Sequence, residues 1–92
     1  MGLYTEKQIV SAMKSLKGWK RNDSQIFKIF IKKDFARAMG FVQSVALLAE
    51  KANHHPDIVV QWNKVTLVLS THSAGGLTDK DFSLAKTIDT LK

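Results

Sequence analysis

The chain of 92 residues contains no cysteine. That excludes disulfide stapling and thiolate metal ligation, and it leans the compartment towards the cytosol. Long apolar runs are missing too. The longest is five residues, Val45–Ala49, too short for a secretory core or a membrane span. Met1-Gly2-Leu3-Tyr4 leads straight into a helix cap, so no transit peptide is expected. Proline occurs once, at Pro56. No repeat, low-complexity stretch or linker interrupts the pattern, and a single domain over residues 1–92 is expected.

Acidic residues are in the minority: eight against fourteen Lys and Arg, for a net charge of +6. No basic run exceeds two residues (Lys20-Arg21, Lys32-Lys33), and no helix interleaves a basic face with aromatics. That scatter argues against direct nucleic-acid binding. A basic surface still favours solubility and draws anionic ligands or partners. A chain of this size buries only ~60–65% of its extended surface, so self-association is a natural source of further burial.

Thr5 followed by Gln8 has capping-box spacing, and Ile9, Val10, Met13 and Leu16 form an apolar stripe, which predicts a helix over residues 6–17 ended by Gly18. Trp19–Lys32 reads as a hairpin about the turn Asn22-Asp23-Ser24. Phe27, Ile29 and Ile31 alternate there with Lys28 and Lys32, while Ile26 and Phe30 make the second face partly apolar. Asp34 caps a long helix whose run Phe41–Ala49 is apolar around much of its circumference. One stripe suffices for a surface helix, so the surplus is expected to meet another subunit. Pro56 stops this helix and leaves His54 and His55 just beyond its end. Ile58–Trp62 and Val65–Leu69 then form a second hairpin about Asn63-Lys64, and Ser73–Gly76 is a flexible loop. Thr78 caps the last helix, with Asp81 at the capping-box position. The order helix, hairpin, helix, hairpin, helix predicts an α+β sandwich, an antiparallel sheet with helices on one face.

The stretch Glu50–Asp57 concentrates the chemistry. It holds two of the three histidines, and the third, His72, ends the next apolar run. Histidine both gives and takes protons near neutral pH. A helix C-terminus and Glu50, about one turn before His54, both favour imidazolium. Three histidines also raise a metal site, but no HExxH spacing occurs and Glu50 or Asp57 is the sole further ligand nearby. A solvated, idle histidine pair is the plainer alternative. The helix stop, Trp62 and the third histidine favour a built pocket.

Glu50-Lys51-Ala52-Asn53-His54-His55-Pro56-Asp57, Trp62-Asn63-Lys64-Val65, Leu69-Ser70-Thr71-His72 and Gly76-Leu77-Thr78-Asp79-Lys80-Asp81 together resemble pterin-4a-carbinolamine dehydratases. Gly18-Trp19, Asp34-Phe35 and Phe41-Val42 extend the resemblance over nearly the whole chain. It implies a four-stranded antiparallel sheet with three helices on one face. It implies a homodimer or homotetramer built through the long helix, residues 34–53. The implied reaction dehydrates 4a-hydroxytetrahydrobiopterin to quinonoid dihydrobiopterin, needs neither metal nor organic cofactor, and serves tetrahydrobiopterin recycling. His54, His55 and His72 become the acid–base set, with His55 and His72 favoured as nearest the 4a-hydroxyl. Glu50 matches a carboxylate that tunes a histidine, and Asn53, Pro56, Trp62 and Thr71 match the pocket wall. Asp81 caps first and joins the pocket second. Asn53 stands where some members carry aspartate, and Trp62 where some carry tyrosine. The alternative is a binding protein: a dimerisation cofactor of a transcription factor using the same helix surface, or a member of another pterin or molybdenum-cofactor pathway. A cytoplasmic location is expected, extending to the nucleus for a coactivator.

Overall fold

The computed structural model describes residues 2–91; Met1 and Lys92, the ends of the expected domain, lie outside the described residues. Helix α1 spans Glu6–Met13, strand β1 Lys20–Asn22, β2 Gln25–Ile31, helix α2 Phe35–Ala52, β3 Asp57–Gln61, β4 Lys64–Leu69 and helix α3 Asp79–Ile88. The strands form one antiparallel sheet in the order β1-β2-β4-β3, so the two hairpins meet along β2 and β4. The fold is α+β, three helices with a four-stranded antiparallel sheet.

Register decides which side of the sheet is core. Ile26, Lys28 and Phe30 stand opposite Leu69, Leu67 and Val65, and Ile26, Leu69, Leu67 and Val65 are fully buried. Phe27, Ile29 and Ile31 share the other face, where Ile29 and Ile31 are exposed. The alternation read in β2 thus has its covered side at Ile26 and Phe30. Lys28 is tolerated on that side because its Nζ donates to Asp89 Oδ1 and to the Lys17 carbonyl, both at 2.9 Å. Asp89 also accepts the Trp19 indole N–H at 3.0 Å.

Helix α1 ends earlier than its stripe suggests. After Met13, the amides of Ser15 and Leu16 bond to Ala12 and Met13 carbonyls three residues back, a tighter winding that turns Leu16 and Trp19 into the core. Gly18 takes its left-handed conformation, φ 80°, in the bend that follows. A Cβ there would meet only the movable end of the Lys28 side chain, at 3.0 Å, so it is the left-handed backbone that calls for glycine.

Helix α2 also stops for a reason other than the expected one. Asn53 adopts φ 51°, ψ 44°. Its N–H bonds to the Glu50 carbonyl, and the His54 N–H reaches back to the Ala49 carbonyl. This is a Schellman closure, complete before Pro56 is reached. The turn of the second hairpin is Trp62-Asn63, one residue earlier than expected, since Lys64 already pairs with Gln61. The expected loop after His72 is ordered: His72–Ala74 is a single 3-10 turn, closed by a bridge between Thr71 and Gly76.

Before α1, the Tyr4 N–H donates to the Leu77 carbonyl at 2.8 Å, and the Tyr4 ring stacks on Phe82 at 5.1 Å. Among the described residues no helix is long and apolar enough to cross a membrane.

Candidate active site

The end of α2, the end of β4 and the start of α3 meet at one corner. A cleft of about 270 Å³ there is lined by Asn53, His54, His55, Ser70, Thr71, His72, Ser73 and Lys80. All three histidines reach it, each carried by a different local device.

His54 follows the left-handed Asn53 and turns inward, with its side chain 10% exposed. Its Nε2 lies 2.6 Å from Asp81 Oδ1. A carboxylate only accepts, so Nε2 carries the proton and, in the neutral ring, Nδ1 is left as the base. Nδ1 has no protein partner among the described residues, yet it is not sealed from solvent. Asp81 is fully buried. Its other oxygen, Oδ2, accepts the Thr71 hydroxyl at 2.8 Å and the Thr78 amide at 3.0 Å. The Thr78 hydroxyl in turn donates to Thr71 Oγ1 at 2.8 Å. A buried carboxylate needs such satisfaction. One side chain thereby completes the α3 cap and fixes a histidine.

His55 bonds a different carboxylate. It is more than half exposed, and its Nε2 lies 2.5 Å from Glu50 Oε2 in the last turn of α2. His72 is exposed at the start of the 3-10 turn. Among the described residues no three or more His, Asp or Glu side chains converge as a metal site would require.

Of the residues singled out in the sequence, the structure gathers His54, His55, His72, Asn53 and Thr71 on the cleft, with Asp81 beneath His54 and Glu50 behind His55. Pro56 is partly buried at the start of β3, next to His55. Trp62 is not brought there. It sits at the far end of β3, 69% exposed, on the order of 20 Å along the strand from His55. Ser70, Ser73 and Lys80 also line the cleft and were not singled out. Ser70 and Ser73 flank Thr71-His72 in the sequence, which was the available signal. Lys80 stands inside the stretch Gly76–Asp81 that carries the resemblance, but its place on the cleft depends on the direction in which α3 leaves its cap.

The sequence profile of the family described as Pterin 4 alpha carbinolamine dehydratase matches residues 2–91. The chain belongs to this family. Among relatives of the pterin-4-alpha-carbinolamine dehydratase family, a Roseiflexus castenholzii protein provisionally given that name is 52% identical over 87 residues, covering 95% of this chain and 94% of its own. A Sulfurisphaera tokodaii protein of the same provisional name is 45% identical over 87 residues, covering 95% and 94%. A crystal structure of a transcriptional coactivator/pterin dehydratase from Brucella melitensis superposes with a TM-score of 0.90 at 37% identity, covering 95% of each chain. A pterin dehydratase-like protein described as a RuBisCO assembly factor in the alpha-carboxysome shares the fold, with a TM-score of 0.63 at 22% identity over 78% of this chain and 83% of that one.

Proposed function

We propose that the chain dehydrates 4a-hydroxytetrahydrobiopterin to quinonoid dihydrobiopterin and water, by histidine acid–base catalysis, within tetrahydrobiopterin recycling. The observation that carries this reading is the convergence of three imidazoles on one cleft, in a chain of the dehydratase family. The N5 lone pair forms the C4a=N5 bond as the C4a–O bond breaks. An imidazolium gives its proton to the departing hydroxyl, which leaves as water. An imidazole takes a ring N–H proton, so the product is neutral. His55 and His72 flank the leaving hydroxyl, and His54 presents Nδ1 with its ring fixed by Asp81. Each acid or base contributes roughly 10²–10⁴-fold. The test is stopped-flow dehydration of 4a-hydroxytetrahydropterin. No acceleration over the uncatalysed decay at micromolar protein overturns the reading.

Self-association through α2 accompanies this reading. Phe35, Met39 and Leu47 are exposed on that helix, and large apolar side chains left in solvent favour an interface. The same surface suits a protein partner. The description of the Brucella relative as a coactivator and dehydratase supports this second role, in the cytoplasm or in the nucleus.

A further inference from the structure

A second hollow of about 420 Å³ adjoins the histidine cleft, and His54 and Lys80 line both. It lies between the C-terminal half of α2 and the first turns of α3. Leu48 and Leu84 give it apolar walls, while Lys51, Lys80 and Ser83 bring donors to it. Among the described residues neither lysine forms an ion pair. One carboxylate, Asp79, also lines the hollow, and its Oδ1 accepts the Tyr4 hydroxyl at 3.3 Å. Thr87 completes the wall with its hydroxyl already donated to the Ser83 carbonyl. The lining thus holds two lysines outside any ion pair and a serine, against one carboxylate that has another partner. The other chemistry of the hollow is apolar.

The dehydration chemistry engages only the pterin ring. The cleft of about 270 Å³ suits that bicycle, and a side chain on the ring must leave it. Resting on the dehydratase reading, we infer that the hollow beside His54 is a subsite for an anionic pterin side chain, a terminal phosphate or carboxylate held between Lys51 and Lys80. Charge-assisted bonds from ammonium to oxyanion are the strong class of hydrogen bond, and the apolar walls lower the local screening. The subsite would set which pterin is preferred while leaving the acid–base step to the histidines.

Oxidised pterins, which cannot turn over, test this by fluorescence titration. Three ligands share one C6 side chain ending in a hydroxyl, a phosphate or a carboxylate. Wild-type protein is expected to bind at least one anionic form about tenfold tighter than the hydroxyl form. Whichever form gains identifies the anion. Lys51→Gln should erase most of that ratio, Lys51→Arg should keep it, and raised salt should erode it. Equal affinity for all three ligands in wild type overturns the inference, as does an unchanged ratio in Lys51→Gln with a native melting curve. Parallel dehydration assays on the hydroxyl-terminated substrate separate the two levels. Turnover without anion preference removes the subsite alone. Absence of both pterin binding and turnover removes the dehydratase reading together with the subsite.

Discussion

Asp81 Oδ1 sits 2.6 Å from His54 Nε2, although 27 residues separate the two in the chain. The same carboxylate completes the α3 capping box. The geometry of the proposed acid–base site and the stability of α3 are therefore coupled through one residue. Asp81→Asn is expected to lower stability by about 1–3 kcal/mol, the cost of leaving buried partners unmatched. It should also cut dehydration up to ~10²-fold, at the lower end of what an acid–base group supplies. Thermal melting and stopped-flow kinetics measure the two losses separately. A role confined to capping would leave the pH profile of kcat unchanged, whereas a role in orienting His54 shifts it.

Histidine replacements should separate by role. His55→Ala and His72→Ala are expected to reduce kcat by roughly 10²-fold or more each with little change in melting temperature, since both rings are exposed. His54→Ala should reduce both activity and stability, because it leaves the fully buried Asp81 short of a donor. Equal melting temperatures for all three variants would contradict this division.

Asn53 holds a left-handed backbone, φ 51°. Asn53→Gly should retain stability within a few tenths of a kcal/mol, and Asn53→Ala should lose about 1 kcal/mol. Denaturant titration distinguishes them. An alanine variant as stable as the glycine variant would refute a backbone role for this position.

Two surface groups set weak pH limits. The hydrogen bond from Arg21 holds the Glu6 carboxyl below its usual range. That contribution is present above the unfolded carboxylate pKa and is lost as pH falls through the lower folded value. Burial, aided by the nearby Asp79 carboxylate, raises the Tyr4 hydroxyl. Its contribution is present below the unfolded tyrosine pKa and is lost as pH rises through the higher folded value. Glu6→Gln should flatten the acid limb of a melting-temperature profile and Tyr4→Phe the alkaline limb. Unchanged limbs in both variants would remove these assignments.

The exposed apolar side chains of α2 predict an oligomer in solution. Phe35→Asp combined with Leu47→Asp is expected to give a monomer mass by light scattering, with secondary structure kept. A wild-type protein already monomeric at working concentration would dismiss the α2 interface.

Much of the fold was legible because the punctuation is local. Thr5 with Gln8, Asp34, and Thr78 with Asp81 all cap helices through their own side chains, and such spacings are visible in a sequence. What escaped was set by long-range partners. The covered face of β2 depends on register with β4 and on Asp89 accepting Lys28, and alternation alone cannot decide that. The apolar surplus of α2 mixes two populations: Phe41 and Val45 are buried, whereas Phe35, Met39 and Leu47 are exposed. The histidine stretch could be located from its neighbours. That His54 turns inward to a carboxylate and His55 outward to Glu50 depends on the left-handed residue before them, which the sequence offered only as an asparagine. Trp62, matched by resemblance to the pocket wall, lies in the single chain at the far turn between β3 and β4, where it is exposed.

The segment before α1 has a practical consequence. Tyr4 bonds Leu77 and stacks on Phe82, the residues on either side of the stretch that holds Thr78 and Asp81. The amino-terminal strap thus clamps the floor beneath His54 from outside. Trimming the chain past Tyr4, or loading a rigid fusion partner onto its first residues, should loosen that floor and weaken turnover without touching a residue of the cleft. A carboxy-terminal fusion leaves the clamp intact.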